Sequence, residues 1–350
     1  MRLWELPLAV LSPGQRETLI DFLTNVFQLP RTAPFVDWRL MEWKYDEARP
    51  DWEGSRSYAW MDGDKIGAHA CLCPVRYRAG GSEVTGSYLI DWAADRRSPG
   101  AGGLLLRKLG GMFQVLLAIG GSEDTQSILP KLGYKQAGEI AFFTRVIRPW
   151  RQFRTDPFPR GWKAPLRLAR NAAWSMKPAP SVPAGWTCAR VPAFAEEHRA
   201  LLGAEVGFPA TCRTPELMNY WLRCPGAALS AFVIQFGGSL KGWFVLAGVG
   251  GVVRIADLRV VSSNPQDWEA AYALATRTGL SDPQGCELVA AASTPVGQAA
   301  ILRNGFRRHH SEPVFLLDAK GVLAPYAPVE IALMESDAAY LYDPGYPYLT

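Results

Sequence analysis

The run Arg97-Ser98-Pro99-Gly100-Ala101-Gly102-Gly103 has the composition of an anion-binding turn. It follows an apolar, strand-like segment, Tyr88-Leu89-Ile90-Asp91-Trp92-Ala93-Ala94, and leads into Leu104-Leu105-Leu106-Arg107-Lys108-Leu109, which reads as a helix. The first amides of a helix have no partner within it, and the helix dipole is positive there, so phosphate or pyrophosphate is a natural guest. Glycines let the main chain approach such a group closely. Pro99 has no amide proton and cannot donate. Two carboxylates stand on the preceding strand: Asp91 just ahead of the turn and Glu83 farther upstream. Each has two readings. Either could take a proton from an attacking amine or hydroxyl, directly or through water. Equally, Asp91 could be a buried acid that serves the fold, and Glu83 an exposed hairpin acid.

The elements that must position this turn occur twice along the chain. Self-similarity of this kind governs the fold assignment. Each half opens with a strand and a helix, expected at Leu3–Val10 and Pro13–Phe27, then again at Trp186–Val191 and Ala193–Val206. A Trp-rich segment follows, Pro34 to Leu40 against Pro215 to Arg223. Next come hairpins turning at Asp62-Gly63-Asp64 and at Gly237-Gly238, each between alternating apolar runs. Leu89-Ile90-Asp91-Trp92 is echoed by Ile255-Ala256-Asp257-Leu258. A helix (103–112; 267–278), a strand (113–119; 286–292), a short helix and a last strand (140–147; 313–317) complete each half. The short helices end at Leu132-Gly133-Tyr134 and Asn304-Gly305-Phe306, where glycine is a suitable helix terminator.

The spacing Arg-x-x-Gly-x-Gly, the β-α-α-β-β-β-α-β-α-β order and the Gly-aromatic corners resemble the GNAT acyltransferases. The resemblance covers about 150 residues in each half and implies an α/β (α+β, mixed-sheet) protein of two tandem GNAT-like domains. The boundaries expected are 1–148, a basic Pro- and Trp-rich linker 149–184, a degenerate second domain 185–325, and an extended tail 326–350. It implies acetyl-CoA or another acyl-CoA as co-substrate. Its pyrophosphate would lie on Arg97, Ser98, Gly100, Ala101, Gly102 and Gly103, and its pantetheine arm beside Trp92, Ala93 and Ala94. Ser122 falls where the family often has Asn. The tyrosine that many members use to protonate the leaving thiolate is replaced by Leu129, and by Ile301 in the second half. The counterpart of the glycine turn, Ser262-Ser263-Asn264-Pro265-Gln266-Asp267-Trp268, lacks glycine and carries an acid. One donor site is therefore expected, not two.

The acceptor implied is a small-molecule amine or hydroxyl. Trp38-Arg39 and Trp43-Lys44-Tyr45 give a loose likeness to two-domain GNAT proteins of bacterial polysaccharide and cell-surface synthesis. Two other readings stay open: an acyl-carrier-protein or aminoacyl-tRNA donor, and a non-catalytic ligand-binding module.

Composition narrows the rest. Of 350 residues, 48% are hydrophobic and 20% charged, which is globular. No apolar run reaches the length of a membrane span, and no secretory leader is read at Met1–Pro7, so a cytoplasmic location is expected. The six cysteines form no CxxC pair and only four histidines occur, so no metal site is expected. Cys71 and Cys73 read as small buried residues on one strand face, and His309-His310 as surface residues. Basic residues cluster from Trp150 to Pro178 with Asp156 the only acid, interleaved with Trp150, Phe153, Phe158, Trp162 and Trp174. That cluster reads as a solvated connection, or as a surface for an acidic carrier protein or anionic lipid; nucleic acid is not expected. The tyrosines of Val329–Thr350 are expected to dock back onto the protein.

Overall fold

The computed structural model describes residues 9–156 and 162–350, with the main chain alone at Asp62. Leu3–Leu8 of the expected first strand, and Pro157, Phe158, Pro159 and Arg160 of the basic segment, lie outside the described residues. In chain order the first elements are β1 (Ala9–Val10), α1 (Arg16–Phe27), α2 (Trp38–Met41), β2 (Ser57–Asp62), β3 (Lys65–Ala79), β4 (Ser82–Ala94), α3 (Ala101–Leu109), β5 (Val115–Ile119), α4 (Glu123–Ile128), β6 (Lys135–Val146), α5 (Pro149–Thr155) and α6 (Ala164–Ser175). The second series is β7 (Trp186–Val191), α7 (Arg199–Leu202), β8 (Ala210–Thr211), α8 (Pro215–Leu222), β9 (Ala228–Phe236), β10 (Ser239–Val249), β11 (Val252–Val260), α9 (Pro265–Leu280), β12 (Glu287–Ala292), α10 (Pro295–Arg303) and β13 (Arg307–Leu317).

The chain forms two compact units that differ from the expected halves. Unit 1 comprises 1–138 and 313–327; unit 2 comprises 139–312 and 328–350. The difference lies in the closing strands. The second half of the chain sends Val314–Leu317 of β13 to pair with β5 in unit 1. The first half sends Ala141–Val146 of β6 to pair with β12 in unit 2. Each sheet is thus completed by a strand from the other half. No local sequence pattern distinguishes this exchange from two self-contained repeats, since both bury the same apolar strands.

The sheet of unit 1 runs β1-β2-β3-β4-β5-β13, antiparallel except for β4 beside β5. The sheet of unit 2 runs β6-β12-β11-β10-β9-β7, antiparallel except for β11 beside β12. In both, the parallel pair is brief. Gly86–Tyr88 meets Val115–Leu117, and Val252–Arg254 meets Glu287–Val289; beyond these residues the strands part and leave a fork. α3 packs Leu105, Leu106 and Leu109 on the sheet of unit 1, and the long α9 buries Trp268, Tyr272 and Leu274 in unit 2.

Local expectations hold where periodicity was strong. Gly133 and Gly305 take φ of 93° and 86° and end their helices as expected. Two spans differ. The helix expected over Ala193–Val206 shrinks to a single turn at Glu196–His198 and α7, because Pro192 and Gly203 close it at both ends and His198 Nδ1 caps the Ala195 amide. β3 continues past Ala68 to Ala79.

One glycine tests the packing of unit 2. A Cβ on Gly242 of β10 would lie 2.2 Å from the Arg259 carbonyl oxygen and 3.0 Å from Val260 Cα, both main-chain atoms. On the same strand, a Cβ on Gly248 would meet only ordinary contacts at 3.7 Å. Thermal unfolding should show Gly242→Ala destabilised by about 2 kcal/mol or more, with Gly248→Ala close to wild type.

Candidate active site

The glycine turn sits at the end of β4, where a bulge precedes it. His69 of β3 pairs with Ala93 and Cys71 pairs with Ile90, so one residue of β3 faces two of β4. Asp91, within the bulge, has φ 54°, a left-handed conformation unusual for a non-glycine residue. Its surroundings hold it there. The Lys44 ammonium forms an ion pair with Asp91 Oδ2, both side chains almost wholly buried. The Tyr45 hydroxyl donates to the same oxygen at 2.7 Å. His69 Nδ1 lies 3.1 Å from the Asp91 carbonyl oxygen, and its Nε2 lies 2.9 Å from Ser57 Oγ. Burial pushes the His69 imidazole down to about 4, so it is neutral and its Nδ1–H donates to that carbonyl.

Past the bulge, Trp92 and Ala94 face α3. A Cβ on Gly102 would stand 2.9 Å from Ala94 Cβ and 3.3 Å from Trp92 Nε1, so glycine there lets helix and strand close. Trp92 Nε1 is buried and has no hydrogen-bond partner among the described residues. Gly100 caps α3 with φ 85°. Within the turn the Ser98 amide donates to the Asp95 carbonyl, the Ala101 amide to the Ser98 carbonyl and the Arg97 amide to Asp95 Oδ1. Among the described residues, no main-chain carbonyl accepts from the amides of Gly100, Gly102 and Gly103. Three main-chain donors therefore gather at the positive end of a nine-residue helix, with the buried Trp92 indole N–H packed beside Gly102. This donor set suits an anion such as pyrophosphate.

Other expected site residues lie differently. The Arg97 guanidinium turns back on Asp95 at 2.8 Å and is largely exposed, so an acid inside the turn already holds it. This partner holds the Asp95 carboxyl below its usual range. Glu83 is exposed beside Arg78 at 3.4 Å. It lies eight residues from Asp91, about 26 Å along an extended strand, so the structure does not bring it to the turn. Ser122 is the N-cap of α4 and accepts from the Thr125 amide at 3.2 Å. Leu129 is buried, and Tyr134 is a core residue. The residues that sequence reasoning left without a role are Lys44, Tyr45 and His69. Lys44 and Tyr45 sat in a motif quoted only for its likeness, and a lysine between two aromatic residues was the signal available.

Unit 2 repeats the buried acid and leaves out the donors. Asp257 is fully buried beside Arg213 at 3.1 Å, next to another bulge that separates Val245–Asp257 from Leu246–Ile255. The helix that follows, α9, caps itself: Asn264 Oδ1 accepts the Gln266 amide, and Asp267 accepts from Ser262 Oγ at 2.6 Å. Its fork is lined partly by the tail, Glu330–Leu333. There Ser293 Oγ donates to the Val329 carbonyl at 2.7 Å and accepts the Ile331 amide at 3.0 Å. Glu330 pairs with Arg259, and Glu335 with Arg213 at 2.7 Å. Tyr340 and Tyr348 are buried as expected, while Tyr346 stays exposed. His309 and His310 lie on the outside of unit 2, His310 stacked on Phe142 at 4.6 Å.

Several solved structures share this fold. A probable N-acyltransferase from Enterococcus faecalis V583 is 12% identical, over 89% of this chain and 72% of that one, with a TM-score of 0.55. A GCN5-related N-acetyltransferase from Anabaena variabilis is 12% identical, over 89% and 72%, with a TM-score of 0.57. A tandem GNAT protein from the clavulanic acid biosynthesis pathway is 13% identical, over 90% and 99%, with a TM-score of 0.54. No protein-family model and no curated protein matches the sequence. The fold is that of the GCN5-related N-acetyltransferases in its tandem form. Among the described residues no helix is long and apolar enough to cross a membrane.

Two buried groups should give opposite pH dependences of stability. His69 titrates near 4 when folded and near 6.5 when unfolded, so its contribution is present above 6.5 and lost as pH falls toward 4. Glu287 in unit 2 is pushed up to about 7 by burial, so its contribution is present below about 4.5 and lost as pH rises through 7. Urea midpoints measured from pH 4 to 8 should lose the acid-side fall in His69→Gln and the neutral-side fall in Glu287→Gln. Each effect should amount to about 3 kcal/mol at most.

Proposed function

We propose that unit 1 is an acyltransferase that takes an acyl group from a coenzyme A thioester and passes it to an amine or hydroxyl of a small-molecule acceptor. The observation that carries this reading is the set of open amides at Gly100, Gly102 and Gly103 beneath a bulged strand. Unit 2 has the same strand order but a self-capped helix at the corresponding place. Coenzyme A offers a pyrophosphate to such a donor set. In this reading Ala101 starts the helix, Ser98 shapes the turn, and Trp92, Ala93 and Ala94 flank the pantetheine arm. Trp92 Nε1 is a further donor. Arg97 contributes only if it leaves Asp95. The second unit has no donor site.

Chemistry then requires placement and one proton acceptor. The acceptor nitrogen or oxygen forms a bond to the thioester carbonyl carbon. The carbon–sulfur bond breaks and coenzyme A leaves as its thiolate, which takes a proton from water. Asp91 takes the acceptor's proton, with the Tyr45 hydroxyl as the link to its buried carboxylate and Lys44 as its counter-charge. An amino sugar or other amine of cell-surface or small-molecule synthesis is the acceptor class we favour. The neighbouring folds named above, described as N-acyl- and N-acetyltransferases, support transfer to nitrogen.

Gly103→Glu isolates the donor site. Its Cβ would meet only Leu132 at 3.5 Å, and an acid in a first helical turn suits the helix dipole. Calorimetry should show acetyl-CoA binding at least about tenfold weaker, with the melting temperature unchanged. No binding to the wild type, or equal binding to both, would refute this assignment.

Asp91→Asn should lower kcat by about a hundredfold or more in a thiol-release assay with a panel of amines. Because that change strips Lys44 of its counter-charge, Tyr45→Phe is the companion variant. It keeps the ion pair and should lower kcat about tenfold. Undiminished turnover in a folded Tyr45→Phe protein would remove the proposed proton path.

A further inference from the structure

We propose that the outward face of α6 docks on an anionic lipid surface. From Arg148 to Pro178 the chain carries eight Lys or Arg residues against one acid, Asp156. The net charge of the whole protein is only +4, so the remainder is net negative and the positive charge is gathered here. Asp156 is already engaged by Arg167 at 2.6 Å.

The apolar residues of this segment are placed unusually. Trp162 and Met176 are each 80% exposed and Leu166 is 63% exposed. Trp162, Leu166, Ala169, Ala173 and Met176 recur at three- and four-residue intervals along and just beyond α6, and all are exposed. They form one stripe facing away from unit 2. Lys163, Arg170 and Lys177 recur every seven residues, about two helical turns, along one border of that stripe, and are also exposed. The opposite face is tied down by Asn171, which is buried and donates to Gln152 Oε1 of α5 at 3.0 Å. Trp150, 56% exposed on α5, adds a fourth large apolar group in the same segment.

A helix whose exposed centre is apolar and whose border is basic is the arrangement that lies in a bilayer interface. Apolar side chains enter among the acyl chains while lysines and arginines reach anionic headgroups. The charge selects the partner: a neutral bilayer would leave the basic border unanswered. The inference is independent of the catalytic reading, because it uses no residue of the glycine turn.

Flotation of the full-length protein with vesicles tests it. Vesicles of phosphatidylcholine containing roughly one third phosphatidylglycerol should carry the protein at low ionic strength and release it as salt rises. Pure phosphatidylcholine should not carry it. Trp162→Ala combined with Leu166→Ala, and separately Lys163→Glu combined with Lys177→Glu, should each reduce partitioning at least about tenfold. These side chains are exposed, so both variants should melt as the wild type does. Absence of binding to anionic vesicles, or unchanged binding in both variants, would overturn the proposal. So would a wild-type dimer in sedimentation that Leu166→Glu converts to monomer, since a second copy would then cover the stripe.

Discussion

Asp91 is held at a positive φ inside a buried strand, and charge holds it there. A non-glycine residue in that conformation costs on the order of 1–3 kcal/mol. It persists because Lys44 and Tyr45 grip the carboxylate while His69 grips the carbonyl of the same residue. A buried ion pair adds little net stability, but removing one partner costs about 3–5 kcal/mol. The pair therefore acts as a lock on geometry. With Asp91 turned, β4 gains its bulge, Trp92 and Ala94 face α3, and Gly102 lets the helix close on them. The open amides of the glycine turn are the last consequence of that chain of contacts.

The second unit separates what the fold needs from what a ligand needs. It keeps the buried acid with a cation, Asp257 with Arg213, and it keeps a bulge beside it. It keeps the short parallel pair and the fork. What differs lies one turn onward, where Asn264 and Asp267 occupy the helix start with side-chain acceptors. With Pro265 lacking an amide proton, Gln266 already capped by Asn264 and an acid at Asp267, this helix start has fewer donors to offer and a poorer potential for phosphate. The buried acid is thus common to both units, whereas the glycines belong to one. For Asp91 this means that any role in proton transfer is added to a position the fold already requires.

Much of this was legible in the sequence because strand and helix periodicities were long and unbroken. β7 falls at Trp186–Val191, where alternation and flanking residues placed it, and Gly133 and Gly305 end helices because few other residues accept that conformation. The destination of the closing strands was not legible. β6 and β13 are apolar strands of similar length, and pattern alone cannot say which sheet receives them. The donor turn was visible through its glycines, yet the capture of Arg97 by Asp95 was not, since an acid two residues away is ordinary in a turn. Lys44 and His69 escaped notice for a related reason. They lie 47 and 22 residues from Asp91, and only the folded sheet brings them together.

A fork between two parting strands exposes main-chain donors and acceptors that the sheet no longer satisfies, and buried groups of that kind must find partners. A ligand can supply them, or the chain can. In unit 2 the chain does so: the tail brings Val329 and Ile331 to Ser293, and Glu330 and Glu335 to the arginines that flank the buried Asp257. The two acids of the tail also balance Arg259 and Arg213, charges that would be costly to bury otherwise. Tail docking and the absence of a glycine turn are then linked. A unit whose fork is filled by its own chain gains nothing from amides reserved for phosphate, so Asn264 can cap α9, and Asp267 can stand in its first turn, without loss.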